Sequence, residues 1–254
     1  MELREIKLLN GFNFRDIGGY KTCEGLETKW HKIVRSGYLS ELSQFDQHVL
    51  FRYGIRNIID LRTDKEVSQY PDKYNPAINY INVPILDSDL AQSMARDISE
   101  LDYKSSLQHM RQVYSLMITD KQAQKAYHKI MELLAENNNC TLIHCSAGKD
   151  RTGIVIILFL KLLGVNDRDV LNDYLMTNEA SSLRINNRMN EFKEKGASFE
   201  KLKAVFNLST VNYHYYEQAQ TIITKRYNGF ESYFYNQLGI DQCLKEKLKK
   251  KYLC

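Results

Sequence analysis

Proline is almost missing from this chain: three residues in 254, beside a single tryptophan and twelve glycines. That composition leaves no room for a proline-rich linker, and neither a low-complexity tract nor an internal repeat is present. Long hydrophobic runs are missing too. The longest, around Ile154 to Leu160, falls far short of the ~20 apolar residues that cross a bilayer. The opening MELREIKLLNGF has no apolar signal core, so a soluble, cytoplasmic protein is expected, with secretion left open should a signal peptide have been removed. Five cysteines, Cys23, Cys140, Cys145, Cys243 and Cys254, form no disulfide framework. Cys140 and Cys145 are close in sequence, but five residues of strand span about 16 Å, and a disulfide needs Cα atoms within roughly 7 Å. A strong charge of one sign is also absent. The net +4 argues against a nucleic-acid partner and is compatible with anionic substrates. What is plentiful is apolar surface: 43% of residues are hydrophobic, enough for a substantial core in one domain spanning 1–254.

The chain is organised around Cys140 to Gly164, CTLIHCSAGKDRTGIVIILFLKLLG. Thr141-Leu142-Ile143 reads as a buried strand ending at His144. Ile154 to Leu163 reads as an apolar helix stopped by Gly164. Between them stand a cysteine, five residues and an arginine. A strand-to-helix loop turns backbone N–H groups inward above the positive end of a helix dipole, which suits a phosphate-sized dianion. Ser146, Ala147, Gly148, Lys149, Asp150 and Arg151 would line that cradle. Cys145 would lie at its floor with a thiol favoured as thiolate. Arg151 would present a planar fork to two phosphate oxygens, which a lysine cannot copy.

Other loop chemistries fit poorly. A nucleotide-triphosphate loop needs glycine five residues before Gly148 and Ser or Thr after the lysine; Ile143 and Asp150 stand there. Zinc needs clustered partners, and no second Cys or His pair lies at ligand spacing. No metal or organic cofactor is therefore expected. An ordinary strand–loop–helix with a buried cysteine stays as the bland alternative.

The run HCSAGKDRTG resembles the signature of the cysteine-dependent protein tyrosine phosphatase superfamily. Asn13-Phe14-Arg15-Asp16-Ile17-Gly18-Gly19-Tyr20 is similar to the N-terminal signature of its bacterial tyrosine/lipid phosphatase branch, whose mycobacterial and listerial members are secreted. Arg35-Ser36-Gly37, Asp60-Leu61-Arg62 with Glu66, and Tyr233 to Leu238-Gly239 match in the same order, so the resemblance covers nearly the whole chain. It implies phosphomonoester hydrolysis through a phosphocysteine on Cys145, with Thr152 hydrogen-bonding the sulfur and His144 orienting the loop from behind. It also implies a general acid. Asp150 is favoured, because it precedes Arg151 within the loop and the branch carries the same Lys-Asp-Arg order. Asp87, after the strand candidate at 78–85, is the alternative; Asp89 reads better as a helix cap.

The strand candidates near 31–35, 55–61, 78–84 and 140–144 alternate with helices. The expected fold is α/β: a central, largely parallel twisted sheet flanked by helices, tyrosine-phosphatase-like, with a helical C-terminal third. Ser43 to Tyr53 is a capped helix ended by Gly54, and Asp120 caps another through Glu136. Residues 10–20 read as turns, with Arg15 or Asp16 bracing the scaffold. Arg62 either faces the phosphate pocket or pairs with Asp60 or Glu66. Residues 90–118 read as two helical stretches that could form a lid, although Met94, Met110 and Met117 suit ordinary packing. Residues 165–254 read as a helical subdomain, its final lysines suiting a helix C-terminus.

Three functions compete. The first is a protein tyrosine phosphatase of broad, dual or lipid, specificity. The second is a phosphoinositide or inositol-polyphosphate phosphatase, favoured modestly by the extra cation Lys149. The third is a non-catalytic phosphate-binding module. The expected partners are a phosphorylated protein or a phosphoinositide, with any membrane surface met through the substrate.

Overall fold

The computed structural model describes residues 4–86 and 102–254. Asp87, Asp89, Met94 and residues 90–101 of the segment read as a lid therefore lie outside the described residues. In chain order the elements are β1 (Arg15–Asp16), β2 (Ile33–Ser36), α1 (Gln44–Tyr53), β3 (Ile55–Asp60), α2 (Asp64–Gln69) and β4 (Asn79–Asn82). Then come α3 (Tyr103–Thr119), α4 (Lys121–Glu136), β5 (Cys140–His144), α5 (Arg151–Leu162), α6 (Asp167–Ala180), α7 (Ser182–Glu194), α8 (Phe199–Ser209) and α9 (Tyr213–Tyr227). The chain closes with the short α10 (Phe230–Ser232), a π-helical turn Tyr233–Gln237, and α11 (Gln242–Tyr252).

One sheet runs in the order β1-β2-β5-β3-β4. Its four longer strands are parallel and only β1 is antiparallel, so the α/β architecture is as expected from the sequence. The register aligns Ser36, His144, Asp60 and Asn82 across the sheet. All four parallel strands thus end at one edge, where open α/β sheets place their ligand sites. Alternation along each strand sends neighbours to opposite faces. Ile33, Ile59 and Ile143 join the larger core, while Val34, Ile58 and Leu142 join the smaller one beneath α1. Helix α5 is apolar around nearly its whole circumference and is correspondingly buried in the larger core.

Local chemistry explains most boundaries. Ser43 caps α1 in a reciprocal box with Asp46, and Gly54 ends it at φ 110°. Asp120 caps α4, and Asn166 caps α6. Three elements went unread in the sequence. Strand β1 is too short to show a period. Helix α2 is a turn and a half set by the Thr63–Glu66 capping box. Helix α8 begins at a Ser198 cap. Met110 and Met117 on α3 are buried core residues. Helix α11 is anchored to α4, where the Tyr252 hydroxyl donates to Leu134 O at 2.9 Å and Lys251 Nζ to the same oxygen at 2.8 Å.

Candidate active site

The loop from Cys145 to Asp150 joins β5 to α5. Its carbonyls are turned outward onto donors from distant parts of the chain. Asn13 Nδ2 donates to Ala147 O at 3.1 Å and to Gly148 O at 2.9 Å, and Arg35 Nη2 donates to Gly148 O at 2.8 Å. The Tyr38 N–H reaches Ser146 O at 3.4 Å. In a trans peptide the carbonyl and the next N–H point in opposite directions. Turning these three carbonyls out therefore turns the N–H groups of Ala147, Gly148 and Lys149 into the loop. Gly148 sits at φ 66°, and a Cβ there would come 2.2 Å from Ser36 O, so only glycine lets the loop lie against β2.

Cys145 is buried at the floor. Burial alone would push its thiol up, but Arg151 and the neighbouring Thr152 hydroxyl and N–H outweigh it, and the thiol lies below its ordinary value. Arg151 is gripped end-on by Glu66: Nη1 lies 2.6 Å from Oε2 and Nη2 2.7 Å from Oε1. Ser146 Oγ donates to the same carboxylate at 2.5 Å and accepts from Arg151 Nη2 at 3.1 Å. Partial burial would raise the Glu66 carboxyl, yet these donors hold it down at about 2. The guanidinium fork is thereby fixed in plane close enough to Cys145 for its charge to act on the thiol.

Asp150 is held on both oxygens. Lys149 Nζ lies 2.6 Å from Oδ2, and the Tyr114 hydroxyl donates to Oδ1 at 2.7 Å. Tyr114 Oη is also 2.7 Å from Tyr174 Oη.

Behind the loop, the His144 ring faces Asp72 at 3.0 Å through Nε2 and the Cys145 carbonyl at 3.3 Å through Nδ1. Burial pulls the His144 imidazole down, but Asp60 and Asp72 prevail and raise it above its ordinary value. Asp60, Asp72 and His144 cluster closely enough to suggest a metal site. That space already holds a cation: Arg62 Nη2 is 2.7 Å from each of the two carboxylates. Arg62 therefore serves a buried ion network. On the other flank, Asp173 joins Arg15 Nε at 3.3 Å and Arg35 Nη1 at 2.6 Å, and accepts from the Tyr20 hydroxyl at 3.0 Å. Burial and the neighbouring Arg35 lower the Arg15 guanidinium to about 10. Arg15 Nη1 also donates to Asn13 Oδ1, which aims the Asn13 amide nitrogen at the loop. Arg15 and Asp16 brace the scaffold, with Asp16 accepting from Gly18 N, His31 N and the Tyr53 hydroxyl.

The structure thus brings Cys145, Asp150, Arg151 and Thr152 together, with His144 immediately behind them. It pairs Lys149 with Asp150 and leaves it largely buried. Arg62 takes its ion-pairing alternative, with Asp60; Glu66 is occupied by Arg151 instead. Asn13, Arg35, Asp72, Tyr114 and Asp173 were not assigned contacts in the site by the sequence. Asn13 and Arg35 carried a signal, through the motifs around them; the other three had none.

A profile of the tyrosine phosphatase family matches residues 6–254. The triple specificity protein phosphatase PtpB of Mycobacterium tuberculosis is 27% identical over a 280-residue alignment that covers 98% of this chain and 98% of PtpB. A putative tyrosine-protein phosphatase of Cupriavidus necator is 28% identical over 173 residues, 67% of this chain and 62% of its own length. Among solved structures, TpbA of P. aeruginosa is 14% identical, with a TM-score of 0.32 over 71% of this chain and 89% of its own. With the family profile running from residue 6 to the last residue, this phosphatase belongs to the tyrosine phosphatase family.

Proposed function

We propose that Cys145 is the nucleophile of a broad-specificity phosphatase whose main substrate is protein phosphotyrosine, with phosphoinositides as a second class. The observation that carries the reading is the Arg151 fork, clamped by Glu66 close to a buried thiol that is biased toward thiolate. The Cys145 thiolate attacks phosphorus, forming the S–P bond as the P–O bond to the leaving group breaks. The inward N–H groups of the loop and the Arg151 guanidinium hold the equatorial oxygens, where transition-state charge collects. The Asp150 carboxyl gives its proton to the departing oxygen. Water then attacks phosphorus and loses a proton to the Asp150 carboxylate. The S–P bond breaks, and inorganic phosphate leaves with thiolate and acid restored. Thr152 hydrogen-bonds the sulfur in both steps. Asp87 remains the rival acid, to be tested by substitution.

Breadth of specificity draws support from the triple specificity of PtpB. A phosphoinositide substrate would bring the enzyme to a membrane surface, and no helix among the described residues is long and apolar enough to cross one. Five unpaired cysteines are compatible with a cytoplasmic location. A module that only bound phosphate would have no use for a thiol held below its ordinary value. Phosphate release should be compared under matched conditions from phosphotyrosine, phosphoserine and phosphothreonine peptides, phosphoinositide micelles and soluble inositol phosphates. The expected result is fastest turnover of phosphotyrosine peptides with measurable lipid turnover. Turnover confined to inositol phosphates would overturn it.

A further inference from the structure

We infer that Tyr114 is a positioning residue for proton transfer, fixing which oxygen of Asp150 carries the proton; this rests on reading Asp150 as the acid. Tyr114 lies midway along α3, fully buried, its ring tilted on Tyr215 at 5.4 Å and edge-on to Tyr174 at 6.3 Å. Its hydroxyl touches Asp150 Oδ1 and Tyr174 Oη, both at 2.7 Å. A carboxylate has no hydrogen to give, so Tyr114 donates to Asp150. Having spent its only proton, Tyr114 must accept from Tyr174. The chain therefore runs in one direction, from Tyr174 to Tyr114 to Asp150.

This direction makes the two carboxyl oxygens unequal. Oδ1 is held by a buried hydroxyl whose ring is wedged among aromatics and which is itself held by Tyr174. Oδ2 is held by the Lys149 ammonium, 2.6 Å away on a flexible stem. A proton on either oxygen competes with the donor already there, and the Lys149 contact, made by a flexible stem, shifts more readily than that of the wedged Tyr114 ring. The proton is carried on Oδ2, passes from there to the leaving oxygen, and is recovered there from the attacking water. Oδ1 accepts from Tyr114 throughout, as carboxylate oxygen and as acid carbonyl, so the network survives the whole cycle and the carboxyl group does not rotate. A tyrosine that only filled the core would affect every substrate alike. One that aims the acid matters most where the leaving group most needs a proton.

The test uses the full chain and a series of aryl phosphates, from phenyl phosphate to dinitrophenyl phosphate. Tyr114→Phe keeps the ring and deletes the donor. On phenyl phosphate its kcat should fall roughly tenfold to hundredfold, with KM little changed, and the loss should shrink steadily as the leaving group becomes more acidic. Tyr174→Phe should show the same trend more weakly. The Tyr114→Phe/Tyr174→Phe pair leaves no orphaned hydroxyl and serves should the single variant fold poorly; it should follow Tyr114→Phe. An equal loss across the series, or none, in these variants overturns the inference. Asp150→Asn is run alongside. If it shows the leaving-group trend and the tyrosine variants do not, the inference alone fails. If Asp150→Asn shows no trend, the acid assignment fails and takes the inference with it.

Discussion

Glu66 meets Arg151 through both terminal guanidinium nitrogens, at 2.6 and 2.7 Å, and so fixes the plane of the fork proposed to bind phosphate. The two residues lie 85 positions apart and reach each other only because β3 and β5 are paired and end at one sheet edge. Glu66→Gln keeps the shape but removes the charge, and one of the two contacts becomes a poor one. The expected loss in kcat/KM is roughly tenfold to hundredfold. Steady-state kinetics with an aryl phosphate checks this. Unchanged kinetics would mean that Arg151 orients itself without help.

The same carboxylate should write itself into acid stability. Its folded-state value is about 2 against an ordinary 4.5. Between those values the unfolded chain binds more protons than the folded one, so stability rises with pH across the window. The contribution is complete above about pH 4.5 and is lost as pH falls toward 2. Thermal melts of wild type and Glu66→Gln at closely spaced pH should diverge above the window and converge toward its acid end. Parallel curves would contradict the linkage.

Asn13 is the second support. It holds two loop carbonyls while standing at φ 60°, a left-handed conformation that asparagine tolerates better than alanine. Asn13→Gly keeps the backbone freedom and removes only the amide. It should weaken vanadate binding and lower kcat/KM by roughly tenfold or more. Asn13→Ala should lose the same activity and, in addition, about 1 kcal/mol of stability from the strained backbone. Vanadate titration and thermal melts separate the two effects. Full activity in Asn13→Gly would show that the loop keeps its shape unaided.

How much of this was legible depended on sequence distance. Cys145, Asp150, Arg151 and Thr152 share one strand-to-helix turn, from the loop into the first residues of α5, so they could be read directly. Capping boxes are equally local: Ser43 with Asp46 announced α1. Thr63 with Glu66 has the same signature but opens a helix of only six residues, and its acid does double duty on Arg151. Asp173 and Tyr114 carry no local mark. Their roles arise from the packing of α6 on α5 and from where α3 sets Tyr114 against the loop, and a pattern of period 3.6 tells which face is buried, not which partner waits there. Arg62 shows the converse. The sequence offered it both the pocket and an ion pair, and the register that sets it between Asp60 and Asp72 decided the matter.

Cys140 provides an internal control for thiol reactivity. Burial first, and then Asp16, push its thiol well up, whereas Cys145 is held down. Iodoacetamide should therefore alkylate Cys145 well below the ordinary thiol range near 8.5, with phosphate protecting it, while Cys140 stays unmodified. Arg151→Ala should move Cys145 alkylation to higher pH. Peptide mass spectrometry across a pH series reads both sites at once.

The most direct measurement is rapid-quench trapping of the intermediate with an aryl phosphate, followed by mass spectrometry of the acid-quenched protein. The account predicts one phosphoryl group on the peptide carrying Cys145, formed before steady state and absent in Cys145→Ser, which should also be inactive. Turnover by Cys145→Ser at an appreciable fraction of wild type, or a phosphoryl group on another residue, would contradict it.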